Sequence, residues 1–335
     1  MFAFFNKSVS GWVCRAAAFA VVFLAAQLYA GALQAGQDAV PAREIWRFGE
    51  MSVVAIQDLP GEMAVSTFKG PASESEKAKY FNNGKTEAGF NVFLLRTGGR
   101  IALFDTGNGT AREGRVGNLP KILASLGVKP EEVEFILLTH MHMDHIGGLL
   151  DNSKKRAFPR ARLMVSKPEI AYWTALAARD ASNANAALVS ATVGEYGADV
   201  LPPFSFGDVV LPGVTALDAS GHTPGHTVFQ LEASPDRFVL KQPEDTPGHA
   251  NVQPEKGGNR LLVIGDLVHG TPLQFAMPEE CAVFDVDPPK AILARKRILN
   301  FAEQNNIPVA GMHMPFPAYG KVEKDGKAWK FSPAR

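Results

Sequence analysis

Between Thr139 and Gly148 the chain reads Thr-His-Met-His-Met-Asp-His-Ile-Gly-Gly, with three imidazoles and a carboxylate inside six residues. The segment follows the apolar run from Val133 to Leu138, which predicts a buried strand. Side chains two apart on an extended segment point the same way, so His140 and His142 face one point beyond the strand end. Asp144 and His145 fall where the chain is expected to turn into a helix, and they face a second, adjacent point. Gly147 and Gly148 allow close backbone packing there. Imidazole together with carboxylate suits zinc, manganese or iron. The chain holds only eight histidines, so this density of donors argues for a metal site over scattered surface side chains.

Other donors follow short apolar runs. Ile101 to Phe104 ends in Asp105-Thr106-Gly107, which in isolation is good turn chemistry. Val214 to Leu217 runs towards Ser220-Gly221-His222-Thr223-Pro224-Gly225-His226-Thr227, where His222 and His226 compete for one position. His222 lies nearer the end of the preceding strand. Leu261 to Ile264 ends in Gly265-Asp266, and Val309-Ala310 leads to His313. His249 sits in a polar insertion, Gln242 to Asn259, with no strand ending just before it, and reads as a decoy on an exposed loop.

The elements that must position these groups can be outlined. Val53 to Ile56 is expected to be the first strand, after a polar leader over residues 33 to 50. Ser66 to Lys85 reads as a surface loop rich in Ser, Lys, Glu, Gly and Asn. Asn91 to Arg96 and Ile101 to Phe104 flank Thr97-Gly98-Gly99-Arg100, a hairpin signal. Leu119 to Leu126 has helical periodicity closed by Gly127. Glu169 to Arg179 reads as a helix entered through Pro168. Residues 180 to 208 carry no clear pattern. Val228 to Glu232 and Arg237 to Leu240 are expected to pair. A helix runs from about Pro289 to Gln304, and Lys290, Arg295, Lys296 and Arg297 are expected to form its solvated face.

His140-x-His142-x-Asp144-His145, extended by Thr139 and by Gly147-Gly148, resembles the signature of the metallo-β-lactamase superfamily. The likeness covers most of the chain after its first 32 residues, and it is nearest to the methyl parathion hydrolase-like and lactonase-like metallo-hydrolases. The stretches that carry it include Asn91 through Gly107, Leu119 through Leu149, Gly221 to Thr227, Gly265-Asp266-Leu267, Leu273-Gln274-Phe275, and the tail from His313 with Pro315-Phe316-Pro317. It departs at residues 180 to 208 and at the insertion. The resemblance implies an α/β fold, a four-layer αββα sandwich, in a single domain over residues 33–335.

The resemblance also implies two divalent metal ions, zinc first, with manganese or iron as alternatives. It assigns His140, His142 and His222 to one metal and Asp144, His145 and His313 to the other, with Asp266 bridging. Asp105 and His226 then stand behind the ligands. The implied nucleophile is a hydroxide between the metals, with Asp144 and Asp266 as the catalytic carboxylates, and the implied reaction is hydrolysis of a small ester or lactone, with phosphotriesters as further substrates. Trp173, His269 and Phe275 are candidates for the substrate pocket. A homodimer is suggested. Three competing readings are a periplasmic β-lactamase, which the Asp at 266 argues against, a mono-iron persulfide dioxygenase using a subset of the ligands, and a non-catalytic metal-binding protein.

Composition sets outer bounds. The chain has 335 residues with 46% apolar and 20% charged side chains, ordinary for a protein with a core. A formal net charge of zero gives no global attraction to nucleic acid. Lys7 and Arg15 precede the apolar run from Ala16 to Ala26, and Ala30-Gly31-Ala32 offers an A-x-A pattern, so residues 1–32 read as a signal peptide of a periplasmic or secreted protein. The run is shorter than the roughly 20 residues of a spanning helix, so no stable membrane span is expected after cleavage. Of two cysteines, Cys14 lies in that segment and Cys281 is left as a packing residue, which precludes an internal disulfide in the mature chain.

Overall fold

A computed structural model describes residues 41–110, 116–233 and 258–334. The proposed signal peptide, the strand expected at 237–240, and His249 with residues 242–257 of the insertion lie outside those residues. The first sheet has the order β1 (Ala42–Phe48), β2 (Met51–Ala64), β4 (Lys85–Thr97), β5 (Arg100–Phe104), β6 (Val133–Leu137), β7 (Arg162–Met164). The second has the order β15 (Ala328–Pro333), β14 (Tyr319–Asp325), β13 (Val309–Ala310), β11 (Arg260–Val263), β10 (Thr227–Glu232), β9 (Val214–Asp218), β8 (Val209–Leu211). A two-stranded piece pairs β3 (Phe68–Lys69) with β12 (Cys281–Ala282).

Strand periodicity assigns the layers. In β4, Phe93 and Leu95 join the cluster between the sheets, while Val92 and Leu94 join the cluster on the outer face, as a period of two requires. Between the sheets these residues and Phe104 meet Phe229 and Leu231 of β10, with the Phe104 and Phe229 rings 5.3 Å apart. The outer face of the first sheet is covered by α2 (Leu119–Ser125), α4 (Lys167–Arg179) and α5 (Ala184–Tyr196) through Ile122, Trp173 and Val189. On the second sheet, α7 (Pro288–Gln304) packs Ala294, Ile298, Leu299 and Ala302. The result is the αββα sandwich. The β4–β5 turn places Gly98 and Gly99 at φ of 54° and 74°, the positive-φ pair that a tight two-residue hairpin needs.

Strand direction gathers the donors. β5, β6 and β7 run parallel. β9 and β11 both pair antiparallel with β10, and β13 is parallel to β11, so β9, β11 and β13 share one direction. Every loop after these strands that carries a predicted donor therefore leaves from a carboxyl end. Open α/β sheets bind ligands at that edge.

Several expectations needed correction. Residues 42–48 are not leader but an edge strand of the first sheet, and Val53 to Ile56 belongs to its second strand. The segment 66–85 is more than a loop: it holds β3 and the short helix α1 (Glu74–Lys77), with the Lys77 ammonium buried against Phe68 O at 3.2 Å. Residues 184–196 form a helix capped by Asn183, whose side chain accepts from Ala186 N. The described partners of β10 are β9 and β11. Among the described residues no helix is long and apolar enough to cross a membrane.

Phe229→Ala should destabilise the chain by about 3–5 kcal/mol, because the cavity would open between two sheets that cannot collapse onto it. Leu293→Ala, on the exposed face of α7, should stay within about 0.5 kcal/mol. Denaturant midpoints check both, and equal losses would contradict the layer assignment.

Candidate metal centre

β6 leads into Leu138-Thr139-His140, and His142, itself extended (φ −69°, ψ 155°), is the last residue before α3 (Met143–Ile146). His140 Nε2 and His142 Nδ1 consequently lie 2.9 Å apart, and His222 Nε2 comes within 3.0 Å of the same His142 nitrogen. Asp266 Oδ2 stands 3.3 Å from His222 Nε2 and 3.7 Å from His140 Nε2. The Asp266 carboxylate also reaches the second set, at 3.2 Å from His145 Nε2 through Oδ1 and 3.0 Å from His313 Nε2 through Oδ2. Asp144 completes that set, 3.6 Å from His313 Nε2 and 4.0 Å from His145 Nε2. Within each set, one donor atom per residue can be chosen so that all lie within 4.8 Å of one another.

This geometry fits divalent cations. His145 Nε2 and Asp266 Oδ1 are buried and close, yet neither has a hydrogen-bond partner. Buried polar atoms left so need another explanation, and aim towards an ion is one. Burial and the His222 ring beside it lower His142 to about 3. Burial and the His145 ring hold His140 well below its ordinary value. Both rings are therefore neutral, as ligation requires. Burial opposes charge on His222 too, but the Asp266 and Asp285 carboxylates outweigh it and raise the imidazole to about 9.

Each donor is fixed from behind. Asp105, itself at φ 60°, accepts from Thr139 N at 2.8 Å and Thr139 Oγ1 at 2.7 Å and pairs with His145 Nδ1 at 2.7 Å. A carboxylate on the far nitrogen orients a ligating ring and makes it more basic. His226 Nδ1 donates to Ala219 O, and its Nε2 accepts from Asp266 N at 3.0 Å. Both its nitrogens are spent on the chain, so it holds the Asp266 backbone and does not face the donor cluster. Gly265 must be glycine for this: φ is +54°, and a Cβ would lie 2.5 Å from His226 Nε2. His313 Nδ1 donates to Gly89 O at 3.0 Å, and Asn91 Nδ2 bonds Met312 O and Met314 O at 2.8 Å each.

Four of these supports escaped sequence reasoning. Glu169 is fully buried and its carboxylate takes four donors: Met141 N, Trp173 Nε1, Thr223 Oγ1 and Gly225 N, at 2.6–2.9 Å. It ties the His140–His142 segment to the loop of His222. Asn185 accepts from Met143 N and donates to Met141 O, both at 2.7 Å. Asp285 Oδ1 meets His222 Nδ1 at 2.8 Å. Arg295, expected on the solvated face of its helix, is instead buried at 1% exposure. Two signals were present. Glu169 and Trp173 are one helical turn apart, which puts an acid on an apolar stripe, and Arg295 interrupts the stripe Ala291, Ala294, Ile298, Ala302.

A cleft of ≈ 380 Å³ opens over the cluster. Met63, Phe90, Met143 and Phe284 give it apolar walls. His269 lines it, with Nε2 3.1 Å from Asp266 Oδ2, its ring stacked on His313 at 5.0 Å, and Nδ1 unpartnered. The other two pocket candidates are elsewhere. Trp173 lies behind His142, its ring 5.5 Å away and its Nε1 bonded to Glu169. Phe275, on α6 (Thr271–Ala276), points into the core against Phe331. Helical rotation turned both towards the packed layers. Cys281 is buried, its Sγ 3.4 Å from Pro288 O, and burial pushes its thiol up to about 11.

Residues 89–297 match the metallo-beta-lactamase superfamily, and the chain belongs to it. Among curated relatives, an N-acyl homoserine lactonase of Bacillus cereus is 29% identical over 175 residues, 44% of this chain and 60% of the relative. A probable metallo-hydrolase of Mycobacterium bovis is 29% identical over 175 residues, 45% of this chain and 54% of the relative. The aligned part is thus less than two thirds of these relatives' length. A crystal structure of a hydrolase in the beta-lactamase superfamily, AbOPH, covers 89% of this chain and 99% of its own at 26% identity, with a TM-score of 0.74. AidC, a dizinc quorum-quenching lactonase, has the same fold, with the same coverage, 22% identity and a TM-score of 0.72.

His222→Ala should lose bound metal, whereas His226→Ala should retain most of it, because of the two only His222 turns a nitrogen towards His142 and the Asp266 carboxylate. Metal per chain by mass spectrometry checks this, and the reverse pattern would exchange their roles. Glu169→Gln keeps the volume but turns one acceptor into a donor that faces donors. It should cost about 1–3 kcal/mol in a denaturant titration.

Proposed function

We propose that this chain is a dinuclear metal-dependent hydrolase of small, uncharged esters and lactones. One observation carries the reading: the Asp266 carboxylate stands 3.0–3.3 Å from nitrogens of both donor sets, the position of a bridging ligand. His140, His142 and His222 would hold one cation, and Asp144, His145 and His313 the other. Bound there, two divalent ions, zinc first, supply an acidic water near neutral pH and polarise a carbonyl or phosphoryl oxygen.

The chain's own residues account for the rest. Asp266 fixes the spacing between the sets, and His226 fixes Asp266. Asp144 borders the cleft, where it can accept a proton from an attacking water. His269 stands in the cleft beside Asp266 and spends its ring N–H on that carboxylate, at 3.1 Å from Oδ2, which holds Asp266 from the cleft side. Met63, Phe90, Met143 and Phe284 exclude water and accommodate an apolar acyl or aryl group.

Charge narrows the substrate. Among the described residues lining the cleft there is no Lys or Arg, and the one acid outside the donor cluster, Glu62, pairs with Lys85 at 2.8 Å. A substrate carboxylate or phosphate monoanion would find no cationic side chain on these described walls, so only the metal ions could balance it. Neutral lactones, N-acyl homoserine lactones among them, aryl esters and phosphotriesters suit the cleft better than β-lactams, which carry a carboxylate. Bridging by Asp266 disfavours a mono-iron dioxygenase. The pattern of residues 1–32 supports export, with the mature chain acting in the periplasm or outside the cell.

Metal analysis and a turnover panel on one sample test this reading. The panel holds an aryl ester, dihydrocoumarin, an N-acyl homoserine lactone, methyl parathion and nitrocefin. Two metals per chain are expected, with turnover of neutral substrates that is lost to chelator and restored by zinc. Asp266→Ala should abolish turnover without unfolding the chain. One iron per chain with oxygen uptake, or a preference for nitrocefin, would overturn the proposal.

A further inference from the structure

We infer that Arg295 is a positioning residue of the metal centre: a buried cation that holds His222 through Asp285 and supports the main chain beside Asp266 directly. The inference rests on the metal-binding reading above.

Arg295 is the largest of the fully buried side chains. Its neighbours Lys296 and Arg297 stay at the surface and pair with Glu279 and Asp218, so the helix can solvate cations when nothing draws them inward. A guanidinium inside a protein is costly unless its donors are matched. Arg295 Nε donates to Leu267 O at 2.7 Å, the carbonyl of the residue after Asp266. One terminal nitrogen donates to Pro278 O at 2.8 Å and Glu280 O at 3.1 Å. The other lies 3.8 Å from Asp285 Oδ2. That carboxylate also accepts from Ala282 N at 3.0 Å and meets His222 Nδ1 at 2.8 Å.

The surrounding backbone makes the relay rigid. Val286 N donates to His222 O, and Asp287 N to Gly221 O, at 3.0 and 2.9 Å. A Cβ on Gly221 would stand 2.1 Å from Ala291 N. The loop of His222 is therefore pressed onto the first turn of α7, one turn before Arg295. Asp285 is thus flanked by His222 on one side and by the Arg295 guanidinium, 3.8 Å from Oδ2, on the other. The guanidinium bonds three carbonyls through Nε and one terminal nitrogen while its other terminal nitrogen stands 3.8 Å from Asp285 Oδ2 as an ion pair, a division of roles that a single lysine ammonium lacks.

The test uses the full chain with Arg295→Met, Arg295→Lys, Asp285→Asn and the Asp285→Asn/Arg295→Met double variant. Zinc affinity is read by competition with a chromophoric chelator, cobalt(II) absorption reports the ligand field, and melting of the metal-free protein reports fold stability. Asp285→Asn and Arg295→Met should each weaken one of the two metals about 10- to 100-fold, the usual cost of disturbing the groups behind a ligand, and leave the other metal near wild type. The double variant should lose less than the product of the singles, as residues in one relay do. Arg295→Lys should fall between wild type and Arg295→Met. If Arg295→Met fails to fold, Arg295→Lys and Asp285→Asn decide alone. Metal affinities and cobalt spectra unchanged in the folded variants, with only the metal-free melting lowered, would reduce Arg295 to a structural plug and overturn the inference. So would losses that multiply in the double variant. A wild-type chain that binds no metal would instead overturn the proposed function.

Discussion

His140 Nε2, His142 Nδ1 and His222 Nε2 crowd to within about 3 Å along two edges, and an imidazole nitrogen has little to gain from another imidazole nitrogen in a buried place. Two carboxylates and two further rings point into the same space. Such a cluster cannot stabilise itself: its rings are desolvated, and any charge on one is repelled by the next. It persists because each group is gripped from the far side. The rest of the structure can be understood as the apparatus that supplies those grips.

The grips are buried and come from distant parts of the chain. Asp105 reaches His145 from the first sheet, Gly89 reaches His313 and Asn91 its two chain neighbours from β4, and Asp285 reaches His222 from the segment before α7. Glu169 joins two donor loops through one carboxylate. Burial pushes its carboxyl up, while its four donors pull the other way. Both oxygens of the Glu169 carboxylate are matched to donors, and a fully matched buried network is rigid where a partly matched one would be a liability. The sandwich provides the frame. Its parallel strands end at one edge, and its close-packed interior leaves the loops little room to drift. The open side is a cleft with apolar walls, no described Lys or Arg, and His269 standing over the Asp266 carboxylate.

Much of this was legible in the sequence because it is local. The apolar run Asn91 to Arg96 marked part of β4, Gly98-Gly99 marked the hairpin, and the six-residue histidine motif brought two donors of each set together within a single strand end and turn. The choice of His222 over His226 followed the superfamily pattern and proximity to the strand. In the structure His226 has both nitrogens engaged by Ala219 and Asp266, while His222 Nε2 lies 3.0 Å from His142 Nδ1. Residues 42–48 and 184–196 were not legible as a strand and a helix. The first draws its order from pairing with β2 and the second from packing on the first sheet, and neither is a property of the segment alone.

What the sequence by itself determined is the donor chemistry, the order of the strands that carry it and the superfamily they compose, because these depend on residue type and short spacing. Tertiary structure alone decided which polar residues stand behind the donors and which aromatic rings face the cleft. Trp173 and Phe275 were rotated into packed layers, Arg295 was drawn inward from a face of cations, and Glu169 was brought between two loops more than fifty residues apart in sequence. The physical reason is that a buried charge chooses its place by the partners it can reach, and those partners are set by the packing of sheets and helices, which no local pattern encodes.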